Sequence, residues 1–164
     1  MEGRTVVRHT YCGSSIEVSF DVALCIHATE CVLGLPAVFD RDQRPWIRPD
    51  NATPEQVSLV VERCPTGALL YHRLDGVSDE QTRQVTVVTA VENGPLAVRG
   101  DLVVRRGDGW FERLPRAAFC RCGQSKNKPF CDGSHRESGF EGAGSMTTPE
   151  RPVIPDPADP GQGE

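Results

Sequence analysis

In the stretch SIEVSF, Ile16, Val18 and Phe20 alternate with Glu17 and Ser19, a two-residue period that predicts a half-buried strand. The period changes in TPEQVSLVVERCP. There Thr53 is a helix N-cap, Pro54 takes the first helical position and Gln56 completes a capping box. Val57, Val60, Val61 and Cys64 fall at i, i+3, i+4 and i+7 on one face, so the pattern predicts a helix whose buried stripe ends at Cys64 and which Pro65 stops. From about Gln84 strand periodicity returns in QVTVVTAV, a turn at ENGP, LAVRG, DLVVRR, and a turn at GDG leading into Trp110 and Phe111. This predicts a small antiparallel sheet. The reading is an α+β protein with two small modules, residues 1–82 and 83–141. In the remaining segment, 142–164, five of the protein's 13 prolines lie between Pro149 and Pro160, which predicts a disordered or polyproline-like tail.

At 164 residues and 38% hydrophobic content, two such modules have thin cores of the kind that need staples. Seven cysteines is an odd count, no apolar leader follows the first residues, and no run approaches the ~18 apolar residues of a membrane span. The expectation is a cytoplasmic protein without a membrane segment, in which clustered cysteines bind metal more often than they form disulfides. The net charge of −5 is uneven: 8 Lys and Arg against 13 Asp and Glu over residues 1–98, then 9 against 4 over residues 99–136. The positive region is diffuse and aromatics are 6% of the chain, so nucleic acid is not expected as a partner. No phosphate loop, paired-carboxylate motif or nucleophile with a base is present, so an enzyme is not expected.

The stretch CRCGQSKNKPFCDGSH concentrates the chemistry. Cys120 and Cys122 are two apart, so in extended backbone both sulfurs face the same way. Cys131 and His135 are four apart and share one side of a helical turn that Asp132 is placed to open. Three thiolates and one imidazole suit either a tetrahedral zinc ion or a two-iron cluster with two ligands per iron. Spacing alone leaves both open, although structural zinc sites usually keep a two-residue gap within each cysteine pair.

At these residues the chain resembles the CDGSH iron-sulfur domain family, the mitoNEET-like proteins, whose pattern is matched at Cys120, Cys122, Ser125, Pro129, Cys131, Asp132, Gly133, Ser134 and His135. The likeness spans roughly residues 84–141. It implies a 2Fe-2S cluster held by Cys120, Cys122, Cys131 and His135, and a homodimer as one arrangement. A neutral imidazole in place of a thiolate makes the cluster less negative, so its reduction potential should rise. Lys126 and Lys128 would favour the reduced form if they lie close.

In the first module, Cys25 and Cys31 enclose five residues and Cys64 precedes Pro65. That is the bacterial ferredoxin run with Ala28 in the place of its middle cysteine. CIHATECVLGLPAVFD with VVERCPTGALLY resembles the divergent single-cluster ferredoxin family, which is often fused to CDGSH domains. The likeness implies a 3Fe-4S or 4Fe-4S cluster on Cys25, Cys31 and Cys64, with His27, a carboxylate such as Glu30, or water at a fourth position. Cys12 is expected to be a core or surface thiol, His9 and His72 surface or hydrogen-bonded residues, and Trp46 and Trp110 core aromatics. The function expected is electron carriage to a redox protein partner, a reductase or an oxidase. The alternatives are cluster storage or transfer to an apo-acceptor protein, redox or pH sensing, and a zinc-stapled interaction module.

Overall fold

The computed structural model describes residues 8–107, 109 and 111–145. Trp110 and most of the proline-rich tail therefore lie outside the described residues. Two three-stranded antiparallel sheets carry the fold. The first runs β1 (His9–Cys12), β2 (Ile16–Phe20) and β3 (Leu69–Arg73) in that spatial order. The second runs β4 (Val87–Ala90), β5 (Leu96–Arg105) and β6 (Phe111–Phe119).

Between β2 and β3 the chain makes a short helix α1 (Glu30–Gly34), a long loop, and helix α2 (Pro54–Glu62). The capping box at Thr53 is present: its hydroxyl accepts from the Gln56 N–H while the Gln56 side chain accepts from the Thr53 N–H. Val57, Val60 and Val61 are fully buried against Ile16, Val18 and Leu69 of the sheet, with Val38, Phe39 and Ile47 of the long loop closing the core. Each valine so buried contributes ~1.5 kcal/mol or more. The helix ends at Glu62, and Cys64 sits in the turn beyond it, its N–H bonded to the Val61 carbonyl.

LAVRG and DLVVRR form one long strand, irregular in register between Arg99 and Leu102, rather than two. Strands β1 and β3 carry no clear alternation in sequence. They exist because each flanks β2, whose buried face fixes their register.

The modules share an interior. Leu24 and Ala68 of the first pack with Val104, Leu114, Ala117 and Phe130 of the second. Arg116 of β6 is fully buried beneath the end of α2. It donates to the carbonyls of Cys64 (2.5 Å), Val61 (2.7 Å) and Leu69 (2.8 Å), and pairs with Glu80. A buried guanidinium is tolerable only with such partners. Gly67 is required here, because it adopts φ +70° and a Cβ on it would lie 2.6 Å from the Arg116 carbonyl oxygen.

The second module extends slightly past residue 141, since Ser145 pairs with Val91 and Arg121 donates to the carbonyls of Val91, Gly94, Gly142 and Ala143.

Candidate metal centres

In the second module, β6 ends at Phe119 and delivers Cys120 and Cys122 on the turn that follows. Their sulfurs stand 3.9 Å apart. The loop returns through Pro129, whose carbonyl accepts from the Cys120 N–H, to Phe130 and Cys131, whose N–H bonds to the Ala118 carbonyl. The short helix expected after Cys131 takes the form of successive hydrogen-bonded turns, which Asp132 opens by accepting from the N–H and hydroxyl of Ser134. These turns bring His135 Nδ1 to 3.3 Å from Cys131 Sγ.

Two ligands at ~2.3 Å and ~2.1 Å from one tetrahedral metal stand roughly 3.6–3.8 Å apart. Each pair therefore has nearly the spacing of two ligands on one metal. Among the described residues, no three ligand-type side chains gather around one point as a single zinc ion requires. Two pincers of this kind suit a two-iron cluster with two ligands on each iron.

The electrostatics differ from one side chain of this set to the next. Burial would raise Cys120, but N–H groups of Ser125 and Gly123, the Cys122 thiol and the Lys128 charge outweigh it and hold the thiol below its ordinary value. Lys128 is thus close, its ammonium donating to the Ser125 carbonyl. Burial pushes Cys131 up against the pull of the Gly133 N–H, which lies 3.4 Å from its sulfur. His135 is buried. Burial and the Arg136 charge lower its pKa despite Asp132, so the neutral imidazole that ligates metal prevails. The desolvated carboxyl of Asp132 would rise, but hydrogen bonds from Ser134 and the Lys126 N–H hold it at about 2.

In the first module, Cys25, Cys31 and Cys64 line one cavity of about 420 Å³ beside His27, Ala28, Thr29, Glu30, Arg41, Arg44 and Trp46. Cys25 follows a single 3₁₀ turn capped by Asp21, and Cys31 lies in the first turn of α1. Cys64 is fixed from behind by Arg116. Burial, with Cys64 and Cys25 nearby, pushes Cys31 up to about 11, and burial with Cys64 raises Cys25 against the His27 N–H and the Arg41 charge. Loading a metal here must therefore displace thiol protons, so acid opposes it. Three thiols around one cavity are the ligand types that the corners of a larger cluster take.

The remaining expectations divide. His72 is exposed and hydrogen-bonded to Asp79 (2.8 Å), His9 is exposed beside Tyr11, and Cys12 is exposed on β1. Trp46 is half-buried among Tyr11, Phe20 and Phe39. Arg116, Arg136 and Ile26 matter to the sites and escaped sequence reasoning. No motif marks them, and only the fold brings them to the ligands.

The class defined by this geometry is a protein with two iron-sulfur binding domains. A family model described as divergent 4Fe-4S mono-cluster matches residues 11–74, and one described as iron-binding zinc finger CDGSH type matches residues 93–136. Uncharacterized protein YjdI of Escherichia coli, in strain K12 and in O157:H7, is 41% identical over 61 residues, covering 37% of this chain and 80% of the relative. CDGSH iron-sulfur domain-containing protein 2 homolog of Drosophila ananassae is 73% identical over 22 residues, covering 13% of this chain and 16% of that one. The chain belongs to the divergent 4Fe-4S mono-cluster family through its N-terminal domain, which is joined to a CDGSH-type domain of the 2Fe-2S kind.

Among the described residues, no helix is long and apolar enough to cross a membrane.

Proposed function

We propose that this protein is an electron carrier in which Cys120, Cys122, Cys131 and His135 hold a 2Fe-2S cluster and Cys25, Cys31 and Cys64 hold a 4Fe-4S cluster. Such clusters, when bound, accept and donate single electrons. The observation that carries the reading is the contact between the two ligand loops. Arg136 donates to the Ile26 carbonyl at 2.7 Å, and Ile26, Ala118 and Cys131 pack as one small buried group with Ala28 against it. Protein atoms in van der Waals contact link one ligand set to the other. Asn127 adds a second tie, donating to the Ala23 carbonyl at 2.7 Å.

The acidic first module meets a reductase or oxidase, and electrons pass from its cluster to the histidine-ligated one, whose less negative ligand set gives it the higher potential. The chain's role is carriage and not catalysis. Redox titration with electron paramagnetic resonance tests this: two one-electron couples are expected, the histidine-ligated one higher. A histidine-ligated couple below the other would reverse the direction of flow.

Cluster transfer is a second reading, favoured by the surface position of the CDGSH loop, where Gly123 and Gln124 are exposed beside Cys122. Mixing with an apo-ferredoxin separates the two: movement of iron and sulfide supports transfer, electron exchange with both clusters retained supports carriage.

A further inference from the structure

The turn after β5 and the loop after β6 line one open groove of about 910 Å³, with Cys120 among its walls. Four of its side chains are cations, Arg105, Arg106, Arg121 and Lys128, and none of its described residues is acidic. Two other cavities differ. The 420 Å³ cavity beside Cys25 and a smaller one of about 190 Å³ between the modules both include Glu30, and the smaller adds Glu92.

The positive charge of the groove stays in place because Arg121 and Lys128 spend their hydrogen bonds on neutral groups. Arg121 donates to the carbonyls of Val91, Gly94, Gly142 and Ala143, with its guanidinium carbon 5.2 Å from the centre of the Phe140 ring. Its position is fixed and its charge is kept. Lys128 donates to the Ser125 carbonyl and is exposed, as is Arg105 at the end of β5. Residues 99–136 contain four acidic residues, and three of them are engaged with other groups: Asp101 with Arg113, Glu112 with Arg8, and Asp132 with Ser134 and the Lys126 N–H. The fourth, Asp108, lies outside the described residues.

The shape of the groove narrows what it can recognise. A small ligand is held in a concave pocket by a few converging polar groups. Here the charges are spread along an open groove, together with the apolar rings of Phe119 and Pro129. That arrangement matches the acidic face of a protein, whose charge steers encounter and fixes register while apolar spots supply close contact. A protein seated there comes against Cys120.

We propose that this groove is the docking surface for a second redox protein, a small acidic one-electron carrier whose carboxylates meet Arg105, Arg106, Arg121 and Lys128. Docking itself forms no bond and moves no electron. The acidic first module and the basic groove then select partners of opposite charge, which do not compete for one surface. That the partner is a redox protein rests on the carrier reading above; the basic surface does not.

The test uses the full chain purified without oxygen, with iron and acid-labile sulfide counted first, and an acidic plant-type ferredoxin as the probe. Calorimetric titration should show saturable binding in ~0.01 M salt that weakens by roughly tenfold or more in ~0.3 M salt, where the screening length is far shorter. Arg105→Gln should weaken binding roughly threefold, and Arg105→Gln with Lys128→Gln roughly tenfold, whereas Arg48→Gln, which removes one charge from the first module, should leave it within about 1.5-fold. If the double variant loses iron, Arg105→Gln alone still decides. A ferredoxin that does not bind at low salt overturns the proposal, as does equal weakening by Arg48→Gln. Capture of the chain by anionic phospholipid vesicles but not by the ferredoxin overturns it too. Absence of two redox couples would remove the carrier reading instead, and calorimetry reports on docking in either case.

Discussion

The guanidinium of Arg136, one residue after His135, donates to the backbone carbonyl of Ile26, one residue after Cys25, at 2.7 Å. The two ligand loops, more than a hundred residues apart in sequence, thus share a hydrogen bond. Arg136→Met keeps much of the aliphatic stem and removes the donor. Iron and sulfide content should stay at the wild-type level, while electron equilibration between the clusters after flash reduction slows several-fold. Unchanged equilibration would show that this bond is not part of the route.

Arg116 is the structural counterpart of that link. It is fully buried, and its removal would strand three carbonyls and Glu80. Arg116→Leu should destabilise the protein by about 3–5 kcal/mol, measured by denaturant unfolding of the holoprotein. Arg116→Lys should recover part of this, since lysine restores the charge without the planar fork. A loss below ~1 kcal/mol for the leucine variant would mean that the shared interior contributes little.

Helix α2 positions Cys64 from its far end, and its start was legible in the sequence. Thr53→Ala removes the hydroxyl that accepts from Gln56 and should cost ~1 kcal/mol, a drop of roughly 2–4 °C in Tm for a chain of this size. Cluster content should be unaffected.

What the sequence made legible follows from how local each signal is. The capping box and valine stripe of α2 are encoded within a dozen residues and the CDGSH run within sixteen; the helix forms as read up to Glu62, with Cys64 in the turn beyond it, and the CDGSH model matches residues 93–136. Strands β1 and β3 were not legible. HTYC has no buried residue, and LLYHR is held by its neighbour β2 and the core behind it. The shared interior was equally hidden, because Arg116 and Glu80 read as two more surface charges until the fold buries them together. In LAVRGDLVVR the Gly-Asp pair reads as a break, yet β6 spans both halves and makes them one strand.

One pH-dependent feature lies away from the metal centres. Hydrogen bonding to Asp79 raises the pKa of His72. A pKa raised by folding contributes stability fully present below the unfolded value of ~6.5. That contribution is lost as pH rises through the folded value. Asp79→Asn should thus lower stability at mildly acidic pH more than at pH ~9, and proton resonances of His72 should titrate at lower pH than in wild type. An unshifted titration would contradict the pairing.

The histidine ligand gives the most direct test of the central claim, that this chain holds two distinct clusters and that one of them rests on an imidazole. Potentiometric titration of wild type and His135→Cys, each with its iron and sulfide counted, should show one couple moving down by on the order of 100 mV while the other holds still. Iron and sulfide in both proteins should match one two-iron and one four-iron cluster. A wild-type protein without labile sulfide, or a substitution that leaves both couples in place, would contradict the account.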